Sequence, residues 1–399
     1  MNHSKLKDAR LKNRRVFLRA DLNVPLENGE VADDTRIRGV LPTLNYLLDN
    51  GASVIMASHL GRPGGKPDPK LTLEPVARRL QELLGRKVTF APDCVGARVN
   101  TLKSSLKPGD VLLLENLRFH PEEKAGDGEF ARQLALGADI YVNDAFGTSH
   151  RSHASMTGVP REMGGGFAGL LVQRELEVFE GLLENPERPF TLVLGGAKVS
   201  DKLPVIENLL ESIDHLLIGG GMAFTFMKAR GLSVGRSLLE IDRLGEAQYI
   251  LQKASDMGID VHLPQDVVVS ESVERPGQAQ TVDAGSMEDS VAGLDIGPRC
   301  VEEFTEIILD SRTVVWNGPM GVFEVPPFDG GTRAVADAMA RAADAGATTV
   351  VGGGDSARAV AEAGLQDRIT FVSTGGGASL KLLQGLELPA LAVLKGEDG

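Results

Sequence analysis

Along this chain, short continuous apolar runs alternate with stretches in which apolar positions recur every three or four residues. In the first half the runs are Val16–Ala20, Ala52–Ala57, Lys87–Phe90, Val111–Leu114 and Asp139–Val142. In the second they are Phe190–Leu194, His215–Ile218, Val261–Leu263, Thr313–Trp316, Thr348–Val351 and Ile369–Val372. Each has strand length and closes on a polar or glycine-rich turn, which predicts strands buried on both faces. Between them, Leu73–Leu84, Glu129–Leu136, Pro204–Ile213 and Thr332–Ala345 carry the helical period. Buried strands alternating with helices form parallel sheets covered on both sides. Two such sets predict an α/β chain of two doubly wound, Rossmann-like domains.

Apolar positions from Leu170 to Leu183 follow helical spacing, and Pro186 and Pro189 stop the pattern. The expected boundaries are therefore 1–170 and 189–387 for the domains, with 171–188 as a helix that joins them and serves as a hinge. Asp266–Val282 and Ala284–Asp295 read as irregular or antiparallel excursions, and Leu388–Gly399 as a tail with little helical pattern.

Ligands of an open parallel sheet bind beyond the carboxyl ends of its strands. In the first half those turns read Asp21-Leu-Asn23, Ser58-His-Leu-Gly-Arg62, Glu115-Asn-Leu-Arg118 and Asn143 to Arg151. They offer arginine, histidine and asparagine. In the second half they read Gly195-Gly-Ala-Lys198, Gly219-Gly-Gly221, Asn317-Gly-Pro319, Gly352-Gly-Gly-Asp355 and Thr374-Gly-Gly-Gly377. They offer glycine, backbone N–H and one carboxylate. The segment from Thr191 to Lys202 is the most telling. A strand stops at Gly195-Gly196, and Lys198 and Lys202 follow four residues apart, on one face if the segment is helical. Glycine N–H groups and a helix N-terminus suit a phosphate. Asp355 reads either as a Mg²⁺ ligand beside phosphates or as a helix N-cap. Two unlike anion sites suit transfer of a group between two anionic partners.

Composition sharpens this in one respect. The 399 residues are 42% hydrophobic and 24% charged, ordinary for a globular chain, but the net charge is −13. So acidic a surface argues against nucleic acid as a partner. The arginines Arg19, Arg36, Arg62, Arg118 and Arg151 then point to a small anion in a cleft. No apolar run reaches the roughly 18–20 residues that span a bilayer, and the polar first ten residues lack a signal core. The expected location is the cytoplasm, with no membrane partner. The two cysteines, Cys94 and Cys300, form no metal or disulfide pattern and read as buried.

Competing motifs are thin. Gly352-Gly-Gly-Asp-Ser-Ala357 fits a dinucleotide fingerprint, but the next strand ends in Ser373-Thr374-Gly375, with no acid for a ribose. Gly164 to Gly169 fits the same pattern with no strand before it. No P-loop, HExxH or clustered zinc spacing occurs. His59, His150 and His153 lie in the anion-rich turns as hydrogen-bonding groups or bases, without a Ser or Cys nucleophile beside them. Trp316 reads as core. An NAD-dependent dehydrogenase thus lacks its ribose acid. A non-catalytic two-domain anion-binding protein would usually be exported.

Taken together, the turns resemble one family end to end. Arg15 to Pro25, Ser58 to Pro63, Glu115 to His120, Val142 to His153, Leu194 to Lys202, Ile218 to Phe224, Leu294 to Pro298, Trp316 to Glu324, Val351 to Asp355 and Ser373 to Leu380 stand in the order and wording of phosphoglycerate kinases. Lys381 stands where that pattern has an acidic residue. The resemblance implies ATP + 3-phosphoglycerate ⇌ ADP + 1,3-bisphosphoglycerate, in glycolysis and gluconeogenesis. It implies that Asp21, Asn23, Arg36, His59, Arg62, Arg118 and Arg151 hold the phosphoglycerate. It places the nucleotide at Gly195, Lys198, Lys202, Gly219, Gly293, Asn317, Glu324 and Gly353, Gly354, Asp355 and Ser356, with Asp355 on Mg²⁺ and Glu324 on the ribose. The tail Leu388–Gly399 is expected to return to the first domain, and the chain to act as a monomer.

This chemistry needs no base. The acceptor is a carboxylate, ionised at neutral pH because its pKa lies near about 4. Transfer is then positioning and charge stabilisation. Arg36 and Lys198, with N–H groups of Gly375 to Gly377, are the expected catalytic donors to the moving phosphoryl oxygens, and hinge closure is expected to exclude water.

Overall fold

The computed structural model describes residues 5–395; the first four residues of the polar N-terminus and the last four of the tail lie outside them. The chain divides into two compact units. One runs to Glu177 and resumes at Glu387; the other is Val178–Leu386.

The first unit carries β1 (Arg15–Ala20), a hairpin of β2 (Leu26–Glu27) and β3 (Glu30–Val31), β4 (Ser53–Ala57), β5 (Val88–Phe90), β6 (Val111–Leu113), β7 (Ile140–Asp144) and β8 (Phe167–Ala168). The second carries β9 (Phe190–Leu194), β10 (His215–Ile218), β11 (Asp260–His262), β12 (Asp266–Ser270), β13 (Gln280–Asp283), β14 (Ala292–Ile296), β15 (Thr313–Asn317), β16 (Thr348–Gly352) and β17 (Phe371–Val372). Each unit has a six-stranded parallel sheet, ordered β5-β6-β4-β1-β7-β8 and β11-β10-β9-β15-β16-β17. The central strands are buried along their whole length, as at Val54, Ile55 and Met56 in β4 and Leu192, Val193 and Leu194 in β9, which is why their sequences lack alternation. The excursion between residues 266 and 296 is a small antiparallel sheet ordered β13-β12-β14. Trp316 is fully buried in the second core, and both cysteines are buried.

In both sheets β1 or β9 sits between strands from opposite directions of the winding. That leaves a crevice at the carboxyl ends, between β1 and β7 and between β9 and β15. The connector is helical over Leu170–Glu184 and not to residue 188; Pro186 removes a donor and restricts Asn185 before it. Its first turn is anchored in the first unit. Leu170 N–H donates to Thr43 Oγ1 at 2.9 Å, and Leu171 N–H to Asp144 Oδ1 at 3.0 Å. The tail returns to the first unit. Ala390 N–H donates to Ser149 O at 3.1 Å, Gly166 N–H donates to Leu394 O at 3.2 Å, and Ala390 packs with Ala145 and Met156. Contrary to its pattern, the tail holds one helical turn, Pro389–Ala392, started by its proline.

Candidate active site

In the first unit the turns after β1, β4 and β6 are tied together at the carboxyl edge of the sheet. Leu22 N–H donates to Ser58 Oγ at 2.8 Å. Gly61 N–H donates to Asn23 Oδ1 at 2.8 Å, and Arg118 Nη1 donates to Gly61 O at 2.8 Å. Arg36, in the first turn of the helix Thr35–Asp49, donates to Asp21 Oδ2 at 3.0 Å. These bonds bring Asp21, Asn23, Arg36 and Arg118 around one edge. Arg62 and Arg151 are exposed beside it, in the turns after β4 and β7.

His59 is buried, and its Nδ1 is 3.2 Å from Arg19 Nη2. A guanidinium only donates, so Nδ1 accepts and Nε2 carries the proton. Burial, and then the charges of Arg19, Arg118 and Arg36, push the His59 pKa well below its ordinary value. His59 is therefore a neutral donor. Burial and the neighbouring Arg19 also hold Arg118 below the usual guanidinium range. Asp21 offsets Arg36, and the positive charge that remains in one place is what an anion with several acidic oxygens would relieve.

A buried layer behind these residues is not visible from spacing. Arg19, fully buried, donates Nε to Ser155 Oγ at 2.9 Å. Ser155 in turn donates its hydroxyl and its N–H to the two oxygens of buried Glu123, at 2.6 and 2.9 Å. His153 lies 3.7 Å from Glu123, and burial followed by Arg19 and Arg118 lowers its pKa to about 4. Arg19 stood out in the sequence as one of the grouped arginines. Glu123 sits in a run of charges, Glu122-Glu123-Lys124, that reads as solvated surface, and nothing in its pattern separates it from Glu122.

In the second unit an open hollow of about 290 Å³ lies at the β9–β15 crevice. It is lined by Gly195, Lys198, Lys202, Asn317, Gly353, Gly354, Asp355, Ser356 and Gly377, together with Gly196, Asp201, Gly318 and Gly376. The segment after β9 is an irregular loop, and the helix Leu203–Leu209 starts only after Lys202. Lys198 and Lys202 therefore do not share a helical face. Pro204 stands in the first turn of that helix, and the loop before it is held by Glu240, which accepts from Ser200 N and Ser200 Oγ at 3.1 and 2.8 Å. Lys202 donates to Asn317 Oδ1. Burial lowers the Lys202 pKa to about 8, against the opposing charges of Asp201 and Asp355.

The glycines act differently from the expectation of free anion donors. Gly195 N–H donates to Asn317 O at 3.0 Å, Gly196 N–H to Pro319 O at 2.8 Å, and Gly219 N–H to Leu194 O at 2.8 Å. A Cβ on Gly195 would stand 2.2 Å from Pro319 O. These residues are glycine so that two turns can touch. Gly375 is corrected in the same way: it is buried, and its N–H donates to Ser373 Oγ at 3.0 Å, so Gly376 and Gly377 line the hollow in its place. The open donors belong to the helix Gly354–Glu362. Its N-cap is Gly353 at φ +93°, and its first N–H groups, on Gly354, Asp355 and Ser356, have no partner within the helix. Asp355 is exposed inside that first turn and is not the cap.

Three expected nucleotide residues stand outside the hollow. Gly219 packs under Met320 Sδ, and Gly293 under the Phe224 ring, where an added Cβ would lie 2.5 and 2.0 Å away. Glu324 pairs with Arg358 at 3.0 Å, and Arg358 lies over the Phe323 ring.

The family model described as phosphoglycerate kinase matches residues 6–386. The chain is 52% identical over 390 residues to the phosphoglycerate kinase of Dictyoglomus turgidum, covering 98% of each. It is 53% identical over 389 residues to that of Moorella thermoacetica, again covering 98% of each. Among solved structures, phosphoglycerate kinase from Coxiella burnetii superposes with a TM-score of 0.87 at 39% identity, over 98% of this chain and 99% of that one. The enzyme from Pyrococcus horikoshii gives 0.84 at 36% identity, over 98% of each. With the family model spanning residues 6–386 and relatives above 50% identical matched over nearly their whole length, the chain belongs to the phosphoglycerate kinase family.

Proposed function

We propose that this chain catalyses reversible phosphoryl transfer between ATP and the carboxylate of 3-phosphoglycerate, giving ADP and 1,3-bisphosphoglycerate, in glycolysis and gluconeogenesis. The observation that carries the reading is chemical asymmetry. One sheet ends in a cluster of arginines around a neutral His59, and the other in a glycine-lined hollow holding Lys202 and Asp355. The first suits a small acid with two anionic groups, bound by Arg36, Arg62, Arg118 and Arg151 with Asn23 and His59 as neutral partners. The second suits a nucleotide phosphate chain on the N-terminus of the helix Gly354–Glu362.

Asp355 offers a hard oxygen at the rim of that hollow. One carboxylate with room for water and phosphate oxygens is a donor set that fits Mg²⁺. Magnesium there would neutralise charge on the phosphate oxygens. The protein's own part is positional. Lys202, steered by Asn317, meets the phosphate chain; Arg36 and Lys198 meet the moving phosphoryl oxygens; Asp21 orients Arg36. The acceptor carboxylate arrives ionised, so no side chain has to remove a proton. Closure of the two units around both substrates excludes water, and the enzyme works as a cytoplasmic monomer.

A coupled assay with ATP, Mg²⁺ and 3-phosphoglycerate tests the proposal. Turnover that needs all three supports it; binding of either anion without turnover would favour a non-catalytic binding protein.

A further inference from the structure

A second constellation lies at the opposite, amino edge of the second sheet. His215 opens β10 and Asp260 opens the edge strand β11, and the parallel register sets them side by side. His262 is two residues beyond Asp260, so all three side chains stand on one face. A ligand atom from each lies within 4.8 Å of the other two, and His215 Nδ1 is 3.8 Å from Asp260 Oδ2. The two rings are 5.6 Å apart. Among the described residues, neither His215 Nδ1 nor His262 Nε2 has a hydrogen-bond partner, although both atoms are buried.

The other nitrogen of His262 explains which lone pair is available. Its Nδ1 is 2.7 Å from Glu303 Oε1, and Gln265 Nε2 donates to the other oxygen of Glu303 at 2.6 Å. A carboxylate only accepts, so Nδ1 carries the proton and Nε2 is a bare base. A ligand histidine backed by a carboxylate in this way is the usual outer arrangement of a metal-binding imidazole. Buried ring nitrogens without partners are otherwise costly.

We propose that His215, Asp260 and His262 bind a divalent transition metal, with Zn²⁺ the best fit, and that Glu303 orients His262. Two imidazoles and one carboxylate suit zinc, cobalt, nickel or copper better than magnesium. Around a tetrahedral zinc with bonds of about 2.1 Å, ligand atoms stand about 3.4 Å apart. The spacing, within 4.8 Å, is wider than this, and Asp260, with 71% of its side chain exposed, can shorten its own distances to both histidines by a change of rotamer. A water would complete the shell. Such an ion would fasten the edge strand β11 to β10. It would do so at the end of the sheet away from the hollow, without touching the phosphoryl-transfer machinery.

The cluster of Asp93, Cys94 and His120 is a weaker candidate and a useful control. Cys94 donates its thiol to Glu115 O, and burial pushes its pKa up, so the thiolate a metal needs is disfavoured.

The test uses the full chain stripped of metal, titrated with Zn²⁺ by calorimetry, with Co²⁺ as an optical probe. One saturable equivalent is expected, with imidazole-type Co²⁺ bands and a thermal midpoint raised by a few degrees. His215→Gln and His262→Gln should abolish the site, and Glu303→Gln should weaken it about 10–100-fold. Asp260→Asn alters an exposed side chain and should weaken binding while leaving the metal-free midpoint unchanged, so it decides the matter if a histidine variant folds poorly. Cys94→Ala should bind as before. The proposal fails if no saturable equivalent is taken up, if binding survives Asp260→Asn and Glu303→Gln undiminished, or if Cys94→Ala is the variant that loses it.

Discussion

Lys202 is a cation held where charge is disfavoured. Burial brings its pKa down to about 8, so it is still protonated at neutral pH but close to losing its charge. A phosphate favours the protonated form and raises that pKa in the complex. The free enzyme therefore loses the proton first as pH rises. Nucleotide affinity should be flat below about pH 7 and fall by up to tenfold per unit above pH 8, measured as Kd across pH. Lys202→Arg keeps its charge throughout and should abolish the slope; a slope that persists assigns it to another group. Lys198 makes the opposite contribution. It is exposed at the lip of the hollow and is proposed to act on the moving group. Lys198→Ala should cut kcat by about 10²-fold, as loss of one transition-state donor does, and change nucleotide Kd far less. Equal losses in both would make Lys198 a binding residue. Residue types and their positions after strands were readable from sequence. Their hydrogen-bond roles were not: Gly195, Gly219 and Gly375 read as anion donors, yet each N–H is spent on the protein, for Gly195 and Gly219 because strand order decides which segments touch, and for Gly375 because the Ser373 hydroxyl two residues back accepts it.

At the scale of elements, the start of the helix Leu170–Glu184 depends on a close approach. Asp144, at the end of β7, accepts from Leu171 N–H with the same oxygen that would lie 2.2 Å from a Cβ on Gly169. A Cβ on Gly166 would likewise lie 2.6 Å from the Tyr141 ring. In the glycine pattern from Gly164 to Gly169, Gly166 and Gly169 are thus packing devices on β7 and Gly164 supplies a left-handed backbone at φ +72°, so the likeness to a dinucleotide fingerprint has a local cause. Gly169→Ala should destabilise the chain by about 1–3 kcal/mol by overpacking, read from denaturant midpoints; an unchanged midpoint would mean Asp144 moves aside freely. Asp144 adds a pH signature. Burial raises its carboxyl pKa to about 6, so between about 4 and 6 the folded chain holds its proton more tightly than the unfolded one. Its contribution is full at low pH and fades as pH rises through 6. The stability difference between wild type and Asp144→Asn should therefore change across that window and be constant above it. Strands were the most legible elements, because a buried parallel strand must be apolar along its whole length. The loop from Gly195 to Lys202 was the least, since a lysine pair four apart fits a helix as well as the irregular loop that Glu240 pins.

At the scale of the whole molecule, alternation of runs and helices showed two parallel sheets, but not the order of strands within them. That order is what joins the turns after β9 and β15, and what sets His215 beside Asp260 across 45 residues of chain. It also has a kinetic consequence. Each proposed substrate has its cations and donors within one unit: the arginine edge draws only on the first, and the hollow only on the second. Phosphoryl transfer needs attacking and leaving oxygens in line, with reacting atoms about 3–3.5 Å apart in a site that excludes water. Neither substrate alone brings both sets of charges to the phosphoryl group, so the free energy for closure should come from the pair bound together. Small-angle scattering should then show a smaller radius of gyration with 3-phosphoglycerate and an unreactive Mg²⁺–nucleotide together than with either alone. ATP hydrolysis without 3-phosphoglycerate should stay near background, because the catalytic set is incomplete. Full compaction with nucleotide alone, or turnover with no compaction in the ternary complex, would replace closure with a site already assembled before the second substrate arrives.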